Sequence, residues 1–448
     1  MKVSTITRDG VDSLAMGRKE PDWLKKARVA AWEHYLSLPA PTVRELAHTE
    51  WRKTRYADLD LSKVTTSSVL DRAAQEQIQA VAAIEKSMEK ISGLITSTGT
   101  NSFKARINPE LEKKGVVFAT LSQSLEETPE LARQWLASAP LNTDRFEAMA
   151  RALCNCGALL YVPDGVEIED PFLIVHCLET STAGSATFPR ILIKGGANAK
   201  FRAINVFTSD SGNASAGNSQ LSFVDALVEL ELGPGAGLDY VEIQDFTDDV
   251  FFVSKSINRI GKDAAIKSLT AGLGGYQLKS DIETELNERG AHSSIQGVVL
   301  GSGEEHMSYN TVQKHNAPDT VSKINFLVAL KDRAVSAYQG NIMVAREAQK
   351  TDAFQSNKNL LLGEKAKADS IPRLEILADD VKCSHGATVG PVDRNQVFYL
   401  MARGLDRKTA EEFVVSGFFN TVLEHNPVPQ TGEWIAGRLR DKIHGREK

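Results

Sequence analysis

Along the first third of the chain, apolar residues recur every three to four positions with polar residues between them, the pattern of helices that bury one face. The stretch DWLKKARVAAWEHYLSL places Trp23, Ala27, Ala30, Ala31 and Leu38 at helical spacings and stops at Pro39. SVLDRAAQEQIQAVAAIEKSMEK repeats the pattern with Leu70, Ala73, Ile78, Val81 and Ile84. TPELARQWLASAP and TDRFEAMARALCNCG read as two further helices, the second opening on a Thr143 or Asp144 cap. Residues 1–158 are therefore expected to form a helix-rich N-terminal domain, with irregular joins such as TEWRKTRYADLDL.

From about Leu159 the period shortens to that of strands. The runs LLYVP, FLIVHCL, RILIK, KFRAINVF, ALVELEL, YVEIQDF and FFVSKSI follow one another, with SIQGVVL, INFLVAL, NIMV and LEILA later. Turn-like segments punctuate them, among them KGGANAKF, GPGAGLDY, GKDAAIKS, ERGAHSSI and KDRAVSAY. Gly195, Gly233, Gly261 and Gly290 lie roughly 28 to 38 residues apart, a period that suits repeated coils of sheet. No long helical pattern intervenes, which argues against a βαβ sheet. A β-sandwich is the competing architecture, but it calls for turns roughly every 8 to 12 residues. The pattern favours a parallel β-helix, or a similar solenoid, over residues 159–390.

Beyond Pro391 the helical period returns, and residues 391–448 are expected to form a C-terminal helical domain. NQVFYLMARGL is a short amphipathic helix stopped at Gly404. DRKTAEEFVVSGFFNTVLEHNP is a second, capped by Asp406 and ended before Pro427. In it Ala410, Phe413, Val414 and Gly417 share a stripe with Phe418 at its margin, while Phe419 and Val422 fall towards the opposite side. An apolar spread that wide exceeds one modest core contact; either another protein or the preceding helix takes the excess.

Composition narrows the class. At 448 residues, 42% apolar and 25% charged, the chain has the profile of a soluble globular protein of two or three domains. A net charge of -6 argues against a general nucleic-acid binder. No apolar run approaches the roughly 20 residues that span a bilayer. Lys2, Arg8, Asp9, Asp12 and Arg18 break up the N-terminal stretch where a signal peptide would lie. Cys154, Cys156, Cys177 and Cys383 are too few for a disulfide framework, so a cytoplasmic location with reduced thiols is expected.

Most of the usual chemical motifs are absent. The chain has no G-x-x-x-x-G-K-[ST], G-x-S-x-G, H-E-x-x-H or C-x-x-C, so it should not hydrolyse ATP by a P-loop. Cys154-Asn155-Cys156 and His176-Cys177 read as core positions. DIETELNERG offers Asp281, Glu283, Glu285 and Arg289, which a β-helix carbohydrate-active enzyme could use and which a solvated strand face explains more simply. Cys383 and His385 stand out. On a strand they project from one face, with Ser384 on the other, and thiolate plus imidazole suits a soft metal or a nucleophile and its base. A complete iron–sulfur cluster takes about four protein ligands, so any cluster here would be shared with a partner chain or held transiently.

The stretch KCSHGATVGPVDRNQVFYLMARGLDRKTAEEFVVSGFF resembles the C-terminal signature of the SufB/SufD family of iron–sulfur cluster assembly proteins. The likeness extends back through DAFQSNKNLLLGEKAKADSIPRLEILADDVK and LLYVPDGVEIEDPFLIVH, and weakly to TEWRKTRY. It implies a right-handed parallel β-helix flanked by N-terminal and C-terminal helical domains. Members of the SufB type carry a cysteine in a TQCDSLL-like segment, where this chain has Asn357 in FQSNKNLL. They also read Glu-His-Glu where this chain reads Ser384-His385-Gly386. Both departures point to the SufD type, with a SufB-like scaffold holding the cluster itself as the alternative.

The resemblance implies a non-catalytic subunit that works with a SufB-like subunit and a SufC-like ABC ATPase. His385 would donate an imidazole to a transient cluster shared with the SufB-like subunit, with Cys383 beside it as a supporting thiol. No cluster would be bound stably by the isolated chain, and a homodimer is plausible when the partner is missing. The ATPase would dock on the C-terminal helices through Val397, Phe398, Leu400, Met401, Phe413, Phe418 and Phe419. ATP-driven dimerisation of the ATPase would pull on those helices and reshape the cluster interface.

Overall fold

The computed structural model describes residues 4–39, 54–66, 85–86, 88, 90–99, 101–102, 105–137, 144–180, 184–209 and 220–445. Most of the helix expected over residues 68–90, most of TEWRKTRY and the Thr143 cap lie outside them.

The chain is mainly β. Its centre is a parallel solenoid of about 8 turns between residues 156 and 391. The strands are β1 (Cys156–Val162), β2 (Phe172–Leu178), β3 (Pro189–Gly195), β4 (Lys200–Ser209), β5 (Ser222–Leu232), β6 (Gly237–Asp245), β7 (Val250–Ile260) and β8 (Ala265–Gly274). They continue as β9 (Gln277–Leu286), β10 (His292–Gly301), β11 (His306–His315), β12 (Val321–Leu330), β13 (Val335–Val344), β14 (Asp352–Leu361), β15 (Lys367–Ile376) and β16 (Lys382–Pro391). Odd-numbered strands stack in one sheet and even-numbered strands in the other, every neighbouring pair parallel.

The corner between odd and even strands explains the recurring turn segments. Asn198, Gly235, Asp263, Gly290, Asp319 and Lys350 each take a left-handed conformation at that corner of successive coils. Amides in this column donate to the coil above: Asn198 N to Pro234 O (2.8 Å), Gly235 N to Lys262 O (2.7 Å) and Asp263 N to Arg289 O (3.0 Å). The backbone ladder thus continues round the bend, and glycine, asparagine and aspartate are the residues that accept positive φ at least cost.

Side chains alternate between the lumen and the outer face of each sheet. The lumen is packed with Phe207, Phe246, Phe252, Tyr309, Phe326 and Tyr338, among aliphatic neighbours. Its first end is closed. Gly93–Thr98 pairs with β2 and carries short antiparallel partners, and Val117–Thr120 runs antiparallel to β1. Among the described residues its last end has no such cover. β15 and β16 are the terminal strands of their sheets.

Helices flank both ends. N-terminal ones are α1 (Arg8–Gly17), α2 (Asp22–Ser37), α3 (Pro109–Lys113), α4 (Leu121–Glu127), α5 (Pro129–Ala137) and α6 (Arg145–Leu153). Asp144 caps α6 by accepting from the Glu147 amide. α2 forms where expected, yet buries Leu24, Arg28, Ala31, Trp32 and Tyr35 instead of the stripe through Trp23, Ala27 and Ala30. The reason is charge. Arg28 faces inward and pairs bidentately with Glu20 at 2.6 and 2.7 Å, so apolar spacing alone misplaces the buried face.

After β16 come α7 (Arg394–Met401), α8 (Arg407–Leu423) and α9 (Gly432–His444). Val415, Phe419 and Val422 of α8 and Ile435, Leu439 and Ile443 of α9 cover the outer face of the even sheet, against Val206, Ile243, Leu269, Val298 and Leu327. No helix among the described residues is long and apolar enough to cross a membrane.

Candidate functional site: the open end of the solenoid

Among the described residues β16 is held on one side only, by β14. In its register Cys383 lies over Ala353, His385 over Gln355, Ala387 over Asn357 and Val389 over Asn359. Ala353 belongs to a small apolar cluster with Ile342 and Val344, against which Cys383 packs. Cys383, His385, Ala387 and Val389 therefore stand on the lumen side of the last rung, at alternate positions of the strand. The lumen ends there, so His385 is exposed, while Cys383 is half-buried.

Burial pushes the Cys383 thiol up; a hydrogen bond with the Ala353 backbone offsets part of the rise and the Asp352 carboxylate adds to it. The uncovered thiol is thus protonated at neutral pH, and a soft metal must displace that proton to bind it. Among the described residues, no group of three or more His, Cys, Asp or Glu is placed to hold a metal ion. Chemically, the pair can supply two soft or borderline donors to a site that a second molecule completes.

Beneath the last rung the lumen turns polar. Gln355, Asn357 and Asn359 face inward and are buried. Asn359 donates to Asn357 Oδ1 at 2.7 Å and to Thr388 O at 3.1 Å. Both polar atoms of Gln355, Oδ1 of Asn359 and Oγ of Ser370 have no hydrogen-bond partner among the described residues. An unpartnered buried amide costs about 1–3 kcal/mol, so the fold tolerates an unfavourable polar layer at its open end. Of this layer the sequence reading singled out only Asn357. The signal lay in the inward positions of DAFQSNKNLL, where alternation puts Gln355, Asn357 and Asn359 in place of aliphatic residues.

Apolar surface gathers around the same end. Leu377, Val389, Phe398, Tyr399, Met401 and Phe413 are all exposed. A groove of about 820 Å³ runs between α7 and α8, lined by Leu360, Pro391, Gln396, Tyr399, Leu400, Phe413, Val414, Gly417 and Phe418. Of the residues expected at a docking surface, Phe398, Met401 and Phe413 are exposed and Leu400, Phe413 and Phe418 line the groove. Val397 and Phe419 are corrected: both are buried in the chain's own packing. Phe419 turns towards the sheet with Val415 and Val422, leaving the face of Phe413, Val414 and Gly417 towards the groove.

The other candidates settle into structural roles. Cys154, Cys156 and Cys177 are buried, as is His176, whose ring stacks on Phe207 with centroids 5.5 Å apart. The acidic run on β9 is an ion-pair ladder: Glu283 bridges Lys255 on β7 (3.0 Å) and Lys314 on β11, and Asp281 pairs with Lys279. Burial raises the Glu283 carboxyl, but the two lysines outweigh it and hold the group below the usual range. A carboxylate fixed in this way is a poor general acid.

The family described as SUF system FeS cluster assembly, SufBD core domain, matches residues 177–418, and the SufBD protein N-terminal region matches residues 16–174. The chain is similar to the iron–sulfur cluster assembly protein SufD of Bacillus subtilis (strain 168), 26% identical over 98% of each chain. It is also similar to SufB of the same organism, 23% identical over 94% of this chain and 90% of the relative. A SufBD family protein of Mycobacterium leprae is 30% identical over 48% of this chain and 57% of its own length.

Proposed function

Because this chain belongs to the SufB/SufD family of iron–sulfur cluster assembly proteins, we propose that it is the SufD-like subunit of an assembly scaffold and that its open solenoid end meets a SufB-like subunit. The cluster is cargo built at the seam. His385 contributes one ligand, Cys383 supports it, and the partner supplies the rest. The reading is carried by one observation: a thiol and an imidazole face the lumen on a terminal rung with an unpaired edge. An unpaired strand edge is a ready template for a second chain.

The α7–α8 groove is the proposed seat of a SufC-like ATPase, which supplies the nucleotide chemistry this non-catalytic chain lacks. α7 follows β16 after a short link, and α8 packs on the outer face of the even sheet, so a pull on either helix loads the rung that bears His385. The scaffold works in the cytoplasm, and the cluster leaves once built. Two substitutions in a reconstituted three-protein complex test the two halves of the reading. His385→Ala abolishes cluster formation while the complex still assembles; unimpaired formation removes the ligand role. Phe413→Asp weakens ATPase binding at least 10-fold, the scale of a lost apolar anchor; unchanged binding moves the dock elsewhere.

A further inference from the structure

Gln355 lies directly beneath His385 in the register of β14 and β16. Its carboxamide is buried, and neither Oε1 nor Nε2 has a hydrogen-bond partner among the described residues. The large majority of buried side-chain amides in folded proteins have a partner, from protein or ordered water. The amide reaches across the lumen to Gly340 on β13, where a Cβ would collide with it. On that side the rung above presents Pro372, whose ring offers no polar group. The polar side chain stacked in register above Gln355 is the His385 imidazole. In-register neighbours on adjacent parallel strands lie about 4.8 Å apart, within reach of a glutamine and a histidine side chain.

We propose that Gln355 is a positioning residue for His385. In the chain alone the carboxamide leans towards Gly340 and the bond is not made; once a partner covers the open end, Oε1 accepts a hydrogen bond from one ring N–H, which fixes the tautomer and turns the lone pair of the other nitrogen towards the cluster. Ligating imidazoles almost always carry such a partner on their second nitrogen. Gly340 is part of the device, since any side chain there would push the carboxamide away. Covering the open end favours the bond by excluding the water that competes for the ring. The inference rests on the ligand role given to His385 above.

The test is ring nitrogen NMR on the full chain labelled with ¹⁵N-histidine, alone and with its SufB-like partner, using His385→Ala to assign the signals. In the wild type with its partner one tautomer of His385 predominates, whereas in the chain alone the ratio stays near that of free imidazole. Gln355→Leu removes the acceptor, and Gly340→Ala displaces it while leaving it present; both return the ring to the tautomer ratio of free imidazole. Both slow cluster assembly by roughly 10-fold. Gln355→Glu keeps an acceptor and keeps the tautomer bias. If Gln355→Leu does not fold, Gly340→Ala decides. An unchanged tautomer ratio in the folded variants overturns the positioning role, and does so even if His385→Ala abolishes assembly. Intact assembly in His385→Ala overturns the ligand role instead, whatever the tautomer ratio.

Discussion

His176 and His315 are held neutral by the fold, and their effect on stability has a definite sign. Burial lowers His176 to about 3 and His315 to about 4, from an ordinary value of 6.5. His315 is locked between Thr320 Oγ1 (2.8 Å) and Ser322 Oγ (2.9 Å). Between about pH 4 and 6.5 the unfolded chain binds protons that the folded chain refuses. Stability is therefore complete above pH 6.5 and is lost as the pH falls, with each histidine contributing up to about 1.4 kcal/mol per pH unit. Denaturant midpoints measured across that range should fall accordingly. His176→Phe, which keeps the stacking on Phe207 and removes two nitrogens that have no hydrogen-bond partner among the described residues, should flatten the slope by one histidine's share. At this scale the sequence displayed Cys383 and His385 because their types are rare and their spacing matches a strand. It hid Gln355, since a glutamine in a strand reads as solvent-facing until the register shows a closed lumen around it.

At the scale of elements, α9 is fastened by charge as well as by apolar packing. Arg438 forms a bidentate pair with Asp245 at 2.9 and 3.1 Å. Lys442 reaches both oxygens of Glu305 at 2.6 and 2.7 Å and the Leu273 carbonyl at 2.7 Å. Asp245 and Glu305 are buried, so removing a cation leaves a buried carboxylate without its ion-pair partner. Arg438→Ala should cost about 3 kcal/mol, read by chemical denaturation, and should speed amide exchange in α9 before it does so in the solenoid. The corner column is equally sensitive. Gly290 sits at φ +74 with its missing Cβ directed at Asp263 Oδ1, and Gly290→Ala should destabilise by about 1–2 kcal/mol. Strands and corners were legible because period and turn chemistry agree, coil after coil. The facing of helices was less so. The ion pair that turns Arg28 inward, and the choice of α8 to bury Phe419 in preference to Phe413, depend on partners distant in sequence.

For the whole molecule, the unequal ends matter more than the length between them. The C-terminal helices cover the even sheet, so cutting the chain after Pro391 would expose its apolar face; single substitutions are the cleaner probe of assembly. Val389 faces the open lumen and is exposed. Val389→Lys puts a charge on the free edge, a device that discourages strand addition. The variant should melt like the wild type yet fail to join its partner in light scattering.

A rod finished at one tip and raw at the other can be lengthened once. Joining two raw tips uses both and leaves a finished tip at either extremity, so growth halts at a pair instead of running on as a fibre. If the raw tip is the seam proposed above, the short antiparallel strands around residues 93–120 would act as a stop and limit the assembly to two chains.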